Sequence, residues 1–142
     1  MAPSPILAPA AVLVAWSLIM LGWLARSRFS ALANGGFDLG RSAPGGRGQD
    51  LEGRLPPSVM WKSHNYTHLM EQPTLFYATV MILALAGATS TDVALAWGYT
   101  GSRVLHSCYQ ATINRVPVRL LLFGISSLLL GALAVRALVL TL

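Results

Sequence analysis

Two imidazoles and a carboxylate supply the first chemistry in this chain. His64, His68 and Glu71 fall at i, i+4 and i+7, one face of a helix. From Leu75 onward the same stretch is apolar and uncharged as far as Ala88. Polar groups on a helix running into such sequence are costly against lipid, so they must face protein or water and form a functional-site hypothesis. A second set, Arg103, His106 and Gln110, stands at i, i+3 and i+7 late in another apolar helix. Arg26 closes the first apolar run and Arg119 opens the last.

Glu71 needs a cation, and Arg103 is the best candidate because a guanidinium stays charged and grips a carboxylate bidentately. Cations remain in excess after that pairing. A cationic, half-buried pocket suits an anionic ligand with an amphipathic partner. Two other readings stay open. The Glu71–Arg103 pair is a packing lock in one, with Arg26, Lys62, Arg115 and Arg119 snorkelling to lipid phosphate. In the other, His64, His68, Glu71 and His106 ligate a metal or two histidines hold a haem. The surrounding cations oppose a divalent metal, so the expected metal is none.

The elements that position these groups follow from composition. Of 142 residues, 54% are hydrophobic and only 11% charged; a soluble domain carries about 25% charged residues. The chain reads as an integral membrane protein. Its ten Lys and Arg give a net charge of +5 but lie mostly between apolar runs, as topology signals and not a nucleic-acid surface. The single cysteine, Cys108, excludes an internal disulfide and reads as inert packing. Apolar runs predict helices at about 6–26, 58–88, 92–113 and 117–141, with a connector over 27–57 rich in Gly, Pro and mixed charge. A cleaved signal peptide fits the first run poorly, because no basic segment precedes it and Arg26 and Arg28 follow it. Pro73 should bend the second helix, and Asp92 is placed to cap the third. The expected fold class is therefore all-α, a single-domain membrane four-helix bundle over 1–142.

Arg26, Arg28, Arg41, Arg47, Arg54 and Lys62 lie on the same side as Arg115 and Arg119. The positive-inside rule puts those loops in the cytoplasm and both termini outside. Arg26, His68, Glu71, Arg103, His106, Gln110 and Arg119 are then brought to one cytoplasmic level.

The H-x-x-E of residues 68–71, the R-x-x-H of residues 103–106 and the RVPVR of residues 115–119, with Phe123 beyond, resemble the MAPEG family, membrane-associated proteins in eicosanoid and glutathione metabolism. The resemblance implies a homotrimer of four-helix bundles, in a bacterial inner membrane, with glutathione between subunits near the cytoplasmic face. Its thiol would be used to conjugate or reduce a lipophilic electrophile, as in a transferase or peroxidase. Carried over by position, Arg119 is the catalytic residue nearest the thiol. Arg26 reaches glutathione from the neighbouring subunit, Glu71 holds its amino end, and His68, Arg103, His106 and Gln110 complete the cofactor-binding set. Departures from the family pattern are His68 for an asparagine, Gln110 for a tyrosine, Phe123 for a second tyrosine, and His64 and Thr67 where arginines are usual. A non-enzymatic binding or scaffold protein with the same fold is the alternative to the enzyme.

Overall fold

The structure, a computed structural model, describes residues 3–36, 40 and 44–142. Arg41, counted above among the topology-setting cations, lies outside the described residues. Among those described there are five α-helices and no strand: α1 Leu7–Asn34, α2 Pro57–Leu69, α3 Gln72–Ala86, α4 Ser90–Thr112 and α5 Val116–Thr141. A 3-10 turn at Gly48–Leu51 precedes α2. Because Pro57–Ala86 is one apolar segment broken near Pro73, the described helices fall into four segments. Three are long and apolar enough to cross a membrane: Leu7–Asn34, Pro57–Ala86 and Val116–Thr141. The remaining helix, α4, carries Ser102, Arg103, His106, Ser107 and Gln110, and all five are buried. It packs against α1, α2 and α5, the one location that keeps such side chains from lipid. The outward faces of the bundle are apolar, with Leu18, Leu75, Leu85, Leu105 and Leu128 exposed.

Helix boundaries differ from expectation in physically explicable ways. α1 continues two turns past Arg26 to Asn34, because Leu32 packs with Leu55 and Met60 in a small second core. The bend at Pro73 is a full break. Proline lacks an N–H and its ring crowds the carbonyl four residues back, here that of Leu69, the last residue of α2. α3 restarts with Pro73 in its first turn, where proline is tolerated. It ends on Gly87 at φ +96°, a left-handed conformation that glycine adopts without steric cost.

Asp92 is not the N-cap of α4. Thr89 takes that place, and Asp92 closes a capping box by accepting from the Thr89 N–H at 2.8 Å. The same buried carboxylate accepts from Arg136, Nε to Oδ1 at 2.9 Å and Nη2 to Oδ2 at 3.3 Å. This pair ties the start of α4 to the end of α5.

Lipid is as apolar as leucine, so these helices associate through close packing and interhelical hydrogen bonds of about 0.6 kcal/mol each. Leu13, Phe76, Val80, Tyr99 and Leu133 form the fully buried centre. Trp16 Nε1 donates to Ser107 Oγ at 3.0 Å, and Thr100 Oγ1 to the Pro9 carbonyl at 3.0 Å, joining α1 to α4. Gln72 Nε2 donates to Ser127 Oγ at 2.8 Å and its Oε1 accepts from Tyr99 at 3.3 Å, joining α3, α4 and α5. Cys108 is exposed, and so is not the packing residue expected.

Candidate functional site

The break in the second crossing builds the centre of the site. Carbonyls in the last turn of a helix lack intrahelical partners, and that of His68 accepts from Arg103 Nη2 at 2.8 Å. The same nitrogen lies 3.0 Å from His68 Nδ1. A guanidinium only donates, so Nδ1 must accept and the ring proton sits on Nε2. Arg103 is 0% exposed, yet its Nε and Nη1 have no partner among the described residues.

His106, one turn along α4, stacks on His68 with ring centroids 4.9 Å apart and planes at 28°. Phe123 from α5 meets His68 edge-on, at 5.3 Å and 61°. Arg119 enters from the first turns of α5. Its Nη1 donates to Asn114 Oδ1 at 2.8 Å, while its Nε is buried without a partner among the described residues. Asn114 is the one non-glycine residue at positive φ (60°) among the described residues. Asparagine tolerates that conformation better than most residues, so the tight turn between α4 and α5 both forms and presents an acceptor to Arg119. His68, His106, Arg119 and Phe123, with Val116 and Leu120, line a cavity of about 200 Å³. The pocket is cationic at one edge and apolar at the other.

Four of the seven residues singled out in the sequence are thus brought together: His68, Arg103, His106 and Arg119. Gln110 is buried on the same helix face, with its Oε1 unpartnered among the described residues. Two are placed elsewhere. Glu71 is exposed at the break, and neither a hydrogen bond nor an ion pair joins it to Arg103 among the described residues. The expected Glu71–Arg103 pair fails because the helix ends at Leu69, which takes Glu71 off the face it would have shared with His68. Arg26 is exposed and lines a separate, larger cavity of about 640 Å³ between the end of α1 and the start of α2.

His64 turns away as well. Its Nε2 pairs with Glu52 Oε2 of the connector at 2.8 Å, with both side chains about half exposed. Among the described residues no three His, Cys, Asp or Glu side chains gather in a metal-holding group, so the ligand set considered for a metal is not assembled.

Two residues lie outside the candidate set read from the sequence. Asn114, with Arg115, Val116 and Pro117, reads in the sequence as the turn before the last helix, but its role as the acceptor for Arg119 carries no sequence signal. Asn65 is 1% exposed with neither amide atom partnered among the described residues; its spacing from His68 gives no hint of that. The profile of the MAPEG family matches residues 6–139, nearly the whole chain. No curated protein and no solved structure gives a match.

Proposed function

The chain belongs to the MAPEG family, and from that premise we propose that it is a membrane-bound, glutathione-dependent transferase or peroxidase acting on lipophilic electrophiles. The observation that carries this reading is Arg119, which lines a partly apolar pocket with its buried Nε unpartnered among the described residues, and, behind His68, Arg103, whose buried Nε and Nη1 are likewise unpartnered. Buried donors in native proteins are nearly always satisfied, and charged ones most strongly by anions. Glutathione, with two carboxylates and an acidic thiol, is a ligand of that chemistry.

Bound there, glutathione would supply a sulfur nucleophile that bonds to an electrophilic carbon as a leaving group departs, or as a strained ring or double bond opens and takes up the thiol proton. Alternatively, two molecules would reduce a hydroperoxide to an alcohol and water while becoming the disulfide. The protein's part is electrostatic and positional. Arg119 at the sulfur raises the thiolate fraction, and Asn114 fixes the direction of its guanidinium. Phe123, Leu120 and Val116 offer the apolar wall against which a lipophilic partner rests. His68 and His106 hold the polar side of the pocket, and Arg103 anchors His68 from behind.

A volume of about 200 Å³ is below the roughly 300–1,000 Å³ of small-molecule sites. One chain therefore supports only part of such a site. In this reading a homotrimer completes it at the cytoplasmic side, with Glu71 and Arg26 presented to neighbouring subunits.

The test is a thermal shift of detergent-purified protein with millimolar glutathione, since a ligand of the native state raises the melting point. We expect a concentration-dependent rise that Arg119→Ala abolishes, together with glutathione-dependent consumption of a generic lipophilic electrophile. No rise in the native protein overturns the reading. The second reading, a non-enzymatic binding or scaffold protein, is favoured by the grip of Arg103 on the α2 main chain. It requires that Arg103→Ala disrupt assembly while glutathione has no effect.

A further inference from the structure

We propose that an ordered internal water binds where α1, α2 and α4 meet, held by Asn65, Ser107 and Gln110, and that Gln110 belongs to this site and not to the glutathione pocket. The water itself does not rest on the glutathione reading. The reassignment does, because it takes one residue out of the set that the family resemblance gives to glutathione.

Asn65 is 1% exposed, and its Oδ1 and Nδ2 are both unpartnered among the described residues. Buried side-chain amides in native proteins nearly always make hydrogen bonds. Its neighbours a turn away on α2 fix the direction it faces. Lys62, three residues before, has its Nζ 4.9 Å from the centroid of the Trp23 ring of α1. His68, three residues after, meets Arg103 and His106 of α4. Asn65 lies on the same helix face between them and so looks into the seam of α1 and α4.

α2 and α4 run in opposite directions, so three residues back from His68 corresponds to three residues on from Arg103 or His106. That stretch, 106–109, contains Ser107, and Gln110 follows it directly. Ser107 is 0% and Gln110 2% exposed. Gln110 Oε1 is unpartnered among the described residues. Ser107 Oγ accepts from Trp16 Nε1 of α1 at 3.0 Å, and a hydroxyl that accepts still has a proton to donate.

This chemistry suits water better than an ion. The three side chains are neutral and offer donors and acceptors together, and water both donates and accepts. Interior waters occur about once per 27 residues and make about three hydrogen bonds to otherwise unsatisfied groups. Lipid offers no substitute, since it supplies neither donor nor acceptor. Gln110 is not among the described residues lining the pocket of His68, His106, Arg119 and Phe123, which separates it from the proposed glutathione contacts.

The experiment compares melting points of the full chain in detergent for Asn65→Ser, Asn65→Leu and Gln110→Leu. Serine is too short to reach Gln110 directly but keeps a hydroxyl for the water. Leucine keeps the branched shape of asparagine and no polar atom. We expect the native protein to melt highest, then Asn65→Ser, then Asn65→Leu, with leucine about 3 °C or more below native. In a dry seam leucine would relieve two unsatisfied groups, so Asn65→Leu at or above native, or above Asn65→Ser, overturns the proposal. Combining Asn65→Leu with Gln110→Leu should cost less than the two single changes added, because both remove ligands of one water; strict additivity overturns the shared site. The melting-point rise with millimolar glutathione should be the same in Gln110→Leu as in the native protein. Its loss in that variant returns Gln110 to the glutathione pocket and overturns the reassignment. If the native protein gives no rise, the glutathione reading falls, while the order of melting points still decides the water.

Discussion

Asn114 connects backbone conformation to site electrostatics more directly than any other side chain. Its left-handed φ closes the turn, and its amide oxygen holds Arg119. The two duties separate by substitution. Asn114→Gly keeps the conformation at no steric cost but deletes the hydrogen bond to a charged group, a contact of about 1.5–3 kcal/mol. Glutathione-dependent kcat/KM should fall about tenfold or more, and the melting point should fall by no more than the loss of that one contact. Asn114→Ala should lower both, because alanine also strains the turn. Equal activity in Asn114→Gly and the native protein would remove Arg119 positioning from the account. The spacing of Arg103, His106 and Arg119 was legible in the sequence because cations and imidazoles in apolar helices are rare. Their partners were not. Arg103 could have met Glu71 or His68 with similar reach, and the choice was made by a helix terminus that only packing and Pro73 define.

At the level of elements, the second crossing is two helices because of a single imino ring. Pro73→Ala restores the missing N–H, allowing α2 to continue into α3 and to reclaim main-chain acceptors at the break. We expect the variant to stay folded and to respond less to glutathione, since Arg103 loses its anchor at the His68 carbonyl. An undiminished thermal shift would show that the break is dispensable. The starts and ends of the later helices followed closely from Pro57, Gly87 and Pro117, which punctuate the sequence where the helices change. The far end of α1 did not, because residues 27–34 mix serines, a basic residue and apolar side chains. Only the contact of Leu32 with Leu55 and Met60 explains why the helix persists.

For the molecule as a whole, the separation of Arg26 from Arg119 within one chain makes subunit cooperation testable. If each site takes Arg119 from one subunit and Arg26 from the next, two defective chains should complement. Co-expression of Arg26→Ala with Arg119→Ala would recover about a quarter of native activity, from random pairing at each interface of a closed ring. No recovery above the single variants would mean that the two arginines do not share a site. Family and fold class were readable from motif and hydropathy; the intersubunit arrangement has no local signature, since apolar surface faces lipid and neighbour alike. The inward polarity of α4 has a further consequence, for biogenesis. A central arginine alone adds about 2.5–3.5 kcal/mol to the cost of partitioning a helix from the translocon into lipid, and α4 carries His106 and Gln110 besides. Released singly, it would be retained or slip back. The short turn through Asn114 joins it to the strongly apolar α5, so we expect the two to enter the membrane together as one hairpin, with α5 serving as the insertion partner of α4.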